Sequence, residues 1–125
     1  MTGSSLFSIE KSGCFERSFK KLAKVHRAHF VNHIAEILES LMENPYPQDS
    51  RREPLPDKVQ LPAGWAFYKL EIWIARGASG QVRLMYLVNE GNRIIQLVWI
   101  YSHEQFKKRP SDSDLRAVLK EILDF

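Results

Sequence analysis

Proton transfer near neutral pH needs a side chain that titrates there. Among the chemically able residues of the chain's second half, His103 is the one whose unperturbed pKa lies in that range, so it can donate or accept a proton. Arg83 brings a planar guanidinium, which holds a phosphate oxygen pair by two parallel hydrogen bonds. Lys69 and Glu71 are two residues apart, so on a strand they project from one face, a cation beside a carboxylate. Each of these has an ordinary alternative. Arg83 can pair across a sheet with Glu71 or a loop carboxylate, and Lys69 with Glu71 can form a solvated ion pair contributing up to about 1 kcal/mol. Two basic runs, Lys107-Lys108-Arg109 and Lys20, Lys21 and Lys24, suit a phosphate backbone or a plain solvated face. His26, His29 and His33 recur at spacings of three and four with Glu36 beyond them. That spacing can ligate a metal, yet it is also what a polar helix flank looks like, and no metal is expected here.

The elements that must hold these residues follow from periodicity. Leu6 to Glu10 reads as a short first strand ending at Ser12-Gly13. Ser12 then caps a helix in which Phe15, Phe19 and Leu22 share one side. From about Val25 to Glu43 a longer helix places Phe30, Ile34, Ile37, Leu38 and Leu41 on one face and stops at Asn44-Pro45, so the two helices form a hairpin. Five of the six prolines fall within residues 45–63, which reads as a proline-rich loop because proline cannot donate to a helix or sheet ladder. Beyond Gly64 three β-rich runs follow, WAFYKLEIWIAR, QVRLMYLVNE and RIIQLVWIYSH. They are separated by Gly77-Ala78-Ser79-Gly80 and by Gly91-Asn92, which predicts an antiparallel meander. Tyr68, Leu70, Ile72 and Ile74 alternate with Phe67, Lys69, Glu71 and Trp73, so one face of the first run is apolar and the other mixed, and the helical hairpin is expected to cover the apolar one. Trp65, Trp73 and Trp99 are expected to pack the sheet. After Pro110, Ser111 or Asp112 caps a short C-terminal helix carrying Leu115, Val118, Leu119 and Ile122.

Composition bounds the class. A chain of 125 residues, 44% hydrophobic and 26% charged, is expected to make one domain over 1–125 with a modest core. No run approaches the roughly 18 apolar residues that span a bilayer, and the N-terminus lacks a basic region followed by a long apolar one, so a cytoplasmic protein is expected. Cys14 is the single cysteine, which excludes an internal disulfide framework and a multi-cysteine zinc site. A net charge of +3 and a pI near 9.1 lean towards a polyanionic partner.

FERSFKKL in the first helix, FYKLEI and VRLMYLV on the meander, and IYSHEQFKKRP after it stand in the order strand, helix, helix, three-stranded meander, short helix. In that order and spacing the chain resembles the RelE/ParE superfamily of toxins from type II toxin–antitoxin systems. The resemblance implies an α+β fold in which an N-terminal strand and a helical hairpin pack on the antiparallel meander. Two departures are visible. The proline-rich loop is longer than compact members carry, and the paired lysines of the RelE branch become Lys69 and Glu71, closer to the YoeB-like use of a carboxylate. Tyr101, His103 and Phe106 are similar to the histidine-containing endings of YafQ-type members.

The activity this resemblance implies is metal-free, cofactor-free cleavage of messenger RNA on the ribosome, in which the ribose 2′-OH attacks the adjacent phosphorus. That chemistry needs a base, an acid and a cation on the phosphate oxygens. Arg83 stands where the superfamily keeps an arginine and takes the phosphate, with Lys69 beside it. Glu71 is the candidate base and His103 the candidate acid. Tyr101 can donate a hydrogen bond or stack on a base, and Phe106 can stack on another, although both residue types are more often found in cores. Lys107, Lys108 and Arg109 are the candidate RNA contacts. A cognate antitoxin is the implied partner, covering the basic groove. Two other readings share the fold: a ParE-like toxin that inhibits DNA gyrase, and a non-catalytic member that binds only its antitoxin.

Overall fold

The computed structural model describes residues 6–77 and 80–125; Met1 to Ser5, and Ala78 with Ser79 in the turn expected after the first β-rich run, lie outside the described residues. β1 (Ser8–Lys11) leads into α1 (Gly13–Glu43), followed by β2 (Ser50–Arg52), β3 (Trp65–Trp73), β4 (Gln81–Asn89), β5 (Ile94–Ser102) and α2 (Asp112–Leu123). The strands form one five-stranded sheet in the order β1-β5-β4-β3-β2. β1 runs parallel to β5, and the remaining pairs are antiparallel.

Ser12 caps α1 as expected. Its Oγ accepts from the Phe15 amide at 2.9 Å and donates to the Val98 carbonyl at 2.9 Å, so one hydroxyl closes the helix and ties it to β5. The hairpin is present, but without a loop. Helical backbone is interrupted at a single residue, Arg27, with φ 62° and ψ −147°, two residues beyond the expected division. A straight helix of 31 residues would extend about 46 Å. Instead the Phe7 amide donates to the Met42 carbonyl at 2.9 Å, which returns the far end of α1 to the start of β1. Phe19 of the first arm packs on Phe30 of the second with ring centroids 5.3 Å apart.

Both arms cover the sheet face bearing Leu70, Ile72, Leu84, Tyr86, Leu97 and Ile100, with Phe15, Leu22, Phe30, Ile34 and Leu41 filling the space between. A second core, which alternation alone did not announce, lies on the opposite face. There Leu115 and Leu119 of α2 cover Phe67, Met85, Leu87, Val98 and Tyr101. Ser111 caps α2 by accepting from the Asp114 amide at 3.1 Å.

Three expectations about strands and turns are corrected. Residues 45–63 are not loop throughout: Ser50–Arg52, the proline-free stretch between Pro47 and Pro54, adds β2 to the edge of β3, and the Glu53 amide extends the pairing to the Phe67 carbonyl at 2.9 Å. Gly91-Asn92 is not a two-residue turn. Residues 90–93 connect Asn89 to Ile94, and the left-handed residue is Arg93 (φ 56°), while the Asn89 side chain accepts from the Asn92 amide at 3.0 Å. β1 begins at Ser8, because Phe7 is buried in the first core rather than paired on the sheet. Among the described residues no helix is long and apolar enough to cross a membrane.

β5 carries one extra residue. Tyr86 stands opposite Leu97 but Met85 opposite Trp99, leaving Val98 between them as a bulge. Without it Ile100 would face Arg83; with it the partner is Tyr101, and all later β5 side chains change faces.

Candidate active site

α2 covers one end of its sheet face and leaves the other open. At the open end the period-2 alternation of β3 presents Lys69 and Glu71, and the antiparallel register sets Glu71 opposite Arg83 and Arg83 opposite Tyr101. One rung further out Trp73 pairs with Gln81, whose carbonyl accepts from the His103 amide at 2.7 Å. The amide bond fixes the backbone just past β5, and the imidazole returns to the row before it. Nη1 of Arg83 lies 3.4 Å from Nδ1 of His103, and Nη2 lies 3.9 Å from Oε2 of Glu71. The guanidinium therefore stands between a carboxylate on one side and an imidazole on the other. Because a guanidinium only donates, a hydrogen bond between the two requires Nδ1 to accept.

Beside this row opens a groove of about 660 Å³ lined by Glu53, Pro54, Lys69, Glu71, Arg83, Lys107, Lys108, Arg109 and Asp112. Five cations face three carboxylates there, so the groove is net positive. Lys107 and Lys108 are exposed on its rim. A larger cleft of about 810 Å³ lies between the first arm of α1 and α2, around Cys14, Lys21 and Glu121, and none of the groups clustered about Arg83 reaches it.

Several assignments change with the coordinates. Tyr101 is fully buried, its ring edge-on to Phe106 and its hydroxyl 3.4 Å from the Lys108 carbonyl. Burial, followed by the nearby Glu53 charge, pushes its phenol up to about 12, and no face of the ring is open to a base. Its part is to hold the 103–109 segment against the sheet. Phe106 is likewise engaged, edge-on to both Trp99 and Tyr101, and belongs to the second core rather than to a stacking surface. Arg109 lines the groove but is already engaged: it donates to Glu53 at 2.9 Å, to the Pro54 carbonyl at 2.7 Å and to Asp112 at 3.1 Å, fastening the proline-rich segment to the start of α2. Asp112 also accepts from the Asp57 amide at 3.0 Å, and this bond, then Arg109, holds its carboxyl below the usual range. Trp73 is not packed: it is 63% exposed, whereas Trp65 and Trp99 lie half-buried against the second core.

The residue most missed by sequence reasoning is Glu53. Its side chain, 6% exposed, bridges Arg109 and Lys69, the latter at 3.3 Å. Nothing in the surrounding string marks it, since both partners are distant in sequence. Arg51 was also passed over. It stands opposite Lys69, directly across the edge of the sheet, and adds an exposed cation beside the groove. On α1, the rings of His29 and His33 stack at 6.2 Å and His33 lies 3.9 Å from Glu36; among the described residues no three His, Cys, Asp or Glu side chains converge to hold a metal ion.

No protein-family model matches the sequence, and no curated protein matches it. Solved structures do. A chain of the archaeal RelE–RelB complex from Pyrococcus horikoshii OT3 superposes with a TM-score of 0.52 at 17% identity, covering 78% of this chain and 94% of that one. A free-state E. coli toxin RelE with two arginines replaced by alanine gives a TM-score of 0.53 at 15% identity, covering 94% and 98% respectively. The element order, the helical hairpin on one sheet face and these superpositions agree, and the chain has the RelE fold.

Proposed function

We propose that this chain is the toxin of a toxin–antitoxin pair and that it cleaves messenger RNA on the ribosome by attack of a ribose 2′-OH on the adjacent phosphorus. The observation that carries this reading is the Arg83 guanidinium flanked by Glu71 and His103 at the edge of an open cationic groove. An in-line displacement needs its base and its acid on opposite sides of the phosphorus. A phosphodiester seated on Arg83 meets that condition, with Glu71 taking the 2′-OH proton as the new P–O2′ bond forms. His103, released from Arg83 as the phosphate takes over the guanidinium, gives a proton to the departing 5′-oxygen as the P–O5′ bond breaks. The products are a 2′,3′-cyclic phosphate and a 5′-hydroxyl. Arg83 and Lys69 offset the charge that grows on the phosphate oxygens, and Lys107 and Lys108 follow the backbone on either side. The RelE–RelB complex among the similar structures supports an antitoxin as partner, and the net positive groove suits one that brings acidic residues to it.

The test is expression of wild type, Arg83→Ala and His103→Ala, with transcripts mapped for their ends in the presence of a chelator. Wild type arrests growth and leaves cyclic-phosphate and 5′-hydroxyl ends, while each variant loses on the order of 10²- to 10³-fold in cleavage and keeps its fold. Growth arrest with intact transcripts and broken DNA would transfer the chain to the gyrase-inhibiting class. Absence of both effects would leave an antitoxin-binding protein without chemistry.

A further inference from the structure

We propose that Gln105 is a positioning residue for the candidate acid: its side chain locks the turn that carries His103 up to Arg83. The inference deepens the nuclease reading and rests on it. In that reading the phosphate takes the guanidinium away from His103 at the moment the acid is needed, so the 3.4 Å contact with Arg83 is not what keeps the ring in place during the reaction. The hold must come from the backbone.

Ser102 is where the chain leaves the sheet. It stands opposite Val82, and because the next amide, that of His103, bonds to the Gln81 carbonyl, the amide and carbonyl of Ser102 point away from β4. β1, the neighbour on that side, pairs with β5 only as far as Leu97. Ser102 is 2% exposed, so its amide requires a partner within the protein. Gln105 supplies it. Its Oε1 accepts from the Ser102 amide at 2.9 Å, while the Ser102 hydroxyl accepts from the Gln105 amide at 3.2 Å. The string Ser102-His103-Glu104-Gln105 thus forms the reciprocal pair with which a serine and a glutamine three residues on close the first turn of a helix. Here only that one turn is made: the Gln105 and Phe106 amides each donate to the Ser102 carbonyl at 3.1 Å, and Phe106 is anchored edge-on against Trp99 and Tyr101. His103 therefore rides on a turn fastened at both ends, at the near end by Gln105 and at the far end by the second core. Gln105 is not among the residues lining the cationic groove, so its influence on bound RNA passes through His103.

The test follows cleavage of a defined messenger RNA on purified ribosomes by wild type, Gln105→Ala, Gln105→Glu, His103→Ala and the double variant His103→Ala with Gln105→Ala. Gln105→Ala lowers kcat by about 10- to 10²-fold, because the acid is displaced, and leaves KM within about twofold, because the phosphate contacts are intact. Gln105→Glu keeps an acceptor for the Ser102 amide and retains most of kcat. The double variant is no slower than His103→Ala, since no imidazole is left to place; a general structural loss would multiply instead. In the RNA-free protein the imidazole nitrogen chemical shifts of His103 change on Gln105→Ala. Phe106 still anchors the far end of the turn, so the variants fold, which thermal unfolding checks. A kcat for Gln105→Ala within about twofold of wild type, unmoved imidazole shifts, or losses that multiply in the double variant would overturn the positioning role while leaving the nuclease reading in place. A wild type that cleaves nothing, or His103→Ala as active as wild type, would overturn both.

Discussion

Replacing Glu53 by alanine removes the one carboxylate that holds two cations at the back of the groove. Its side chain is 6% exposed, with Lys69 Nζ at 3.3 Å and Arg109 Nη1 at 2.9 Å. At an effective dielectric of about 20 each contact has a gross attraction of roughly 5 kcal/mol, most of which is offset by the cost of desolvating the charges. Breaking a fully buried pair costs about 3–5 kcal/mol and an exposed one about 0–1. The partners here are intermediate, Lys69 at 22% and Arg109 at 19% exposed, and Arg109 keeps the Pro54 carbonyl and Asp112. The expected loss for Glu53→Ala is therefore about 2 kcal/mol, and for Glu53→Gln, which retains an acceptor, about 1. Urea unfolding at neutral pH measures it: the midpoint falls while the m-value stays the same, and melting drops by about 6–10 °C. Added salt changes the difference little, because the carboxylate is shielded from the ionic atmosphere. A loss below about 0.5 kcal/mol for the alanine variant would refute this account and reduce the cluster to a surface ion pair.

Arg27→Gly stabilises the protein by about 0.5–1 kcal/mol, since relief of strain at φ 62°, ψ −147° outweighs the added freedom of the unfolded chain; a destabilised variant in urea unfolding would place the cause of the reversal elsewhere. On the proposed nuclease reading, Tyr101→Phe keeps RNA cleavage within about threefold, because the ring's packing is preserved and only a 3.4 Å hydrogen bond is lost; a drop beyond about 10²-fold would return Tyr101 to the catalytic set. The Asp112 carboxyl is held below its unfolded value of 3.8, so its contribution to stability is present above that value and disappears as pH falls through the folded one. The gap in urea midpoint between wild type and Asp112→Asn accordingly narrows from pH 6 to pH 3, and a gap that stays constant would remove the carboxylate's charge from the explanation.

Much of the scaffold was legible from local pattern. Ser12 was readable as a cap, and Ser111 as one of two candidates with Asp112, because a cap needs only a side-chain oxygen and an amide three residues on. Lys69 and Glu71 were readable as neighbours because strand alternation is a property of the backbone alone. The α1 hairpin was anticipated from two apolar stripes, although its reversal through one strained arginine was not, since no residue in that string favours a left-handed conformation. The roles of Phe106, Arg109 and Trp73 were misread for a common reason: exposure and pairing depend on what arrives from elsewhere in the chain. Arg109 has the basic run's composition but finds Glu53 56 residues away.

By itself the amino-acid order determined which residues share a side along each uninterrupted stretch of helix or strand, and so which chemical groups are presented together there. Whether groups on different elements meet was decided only in three dimensions. The extra residue at Val98 sets Tyr101 rather than Ile100 against Arg83 and brings the segment after β5 into line with Gln81, which is what delivers His103 to the guanidinium. A bulge has no signature in alternation, because inserting one residue leaves both flanking patterns intact and shifts only their relative phase, a quantity fixed by the partner strand.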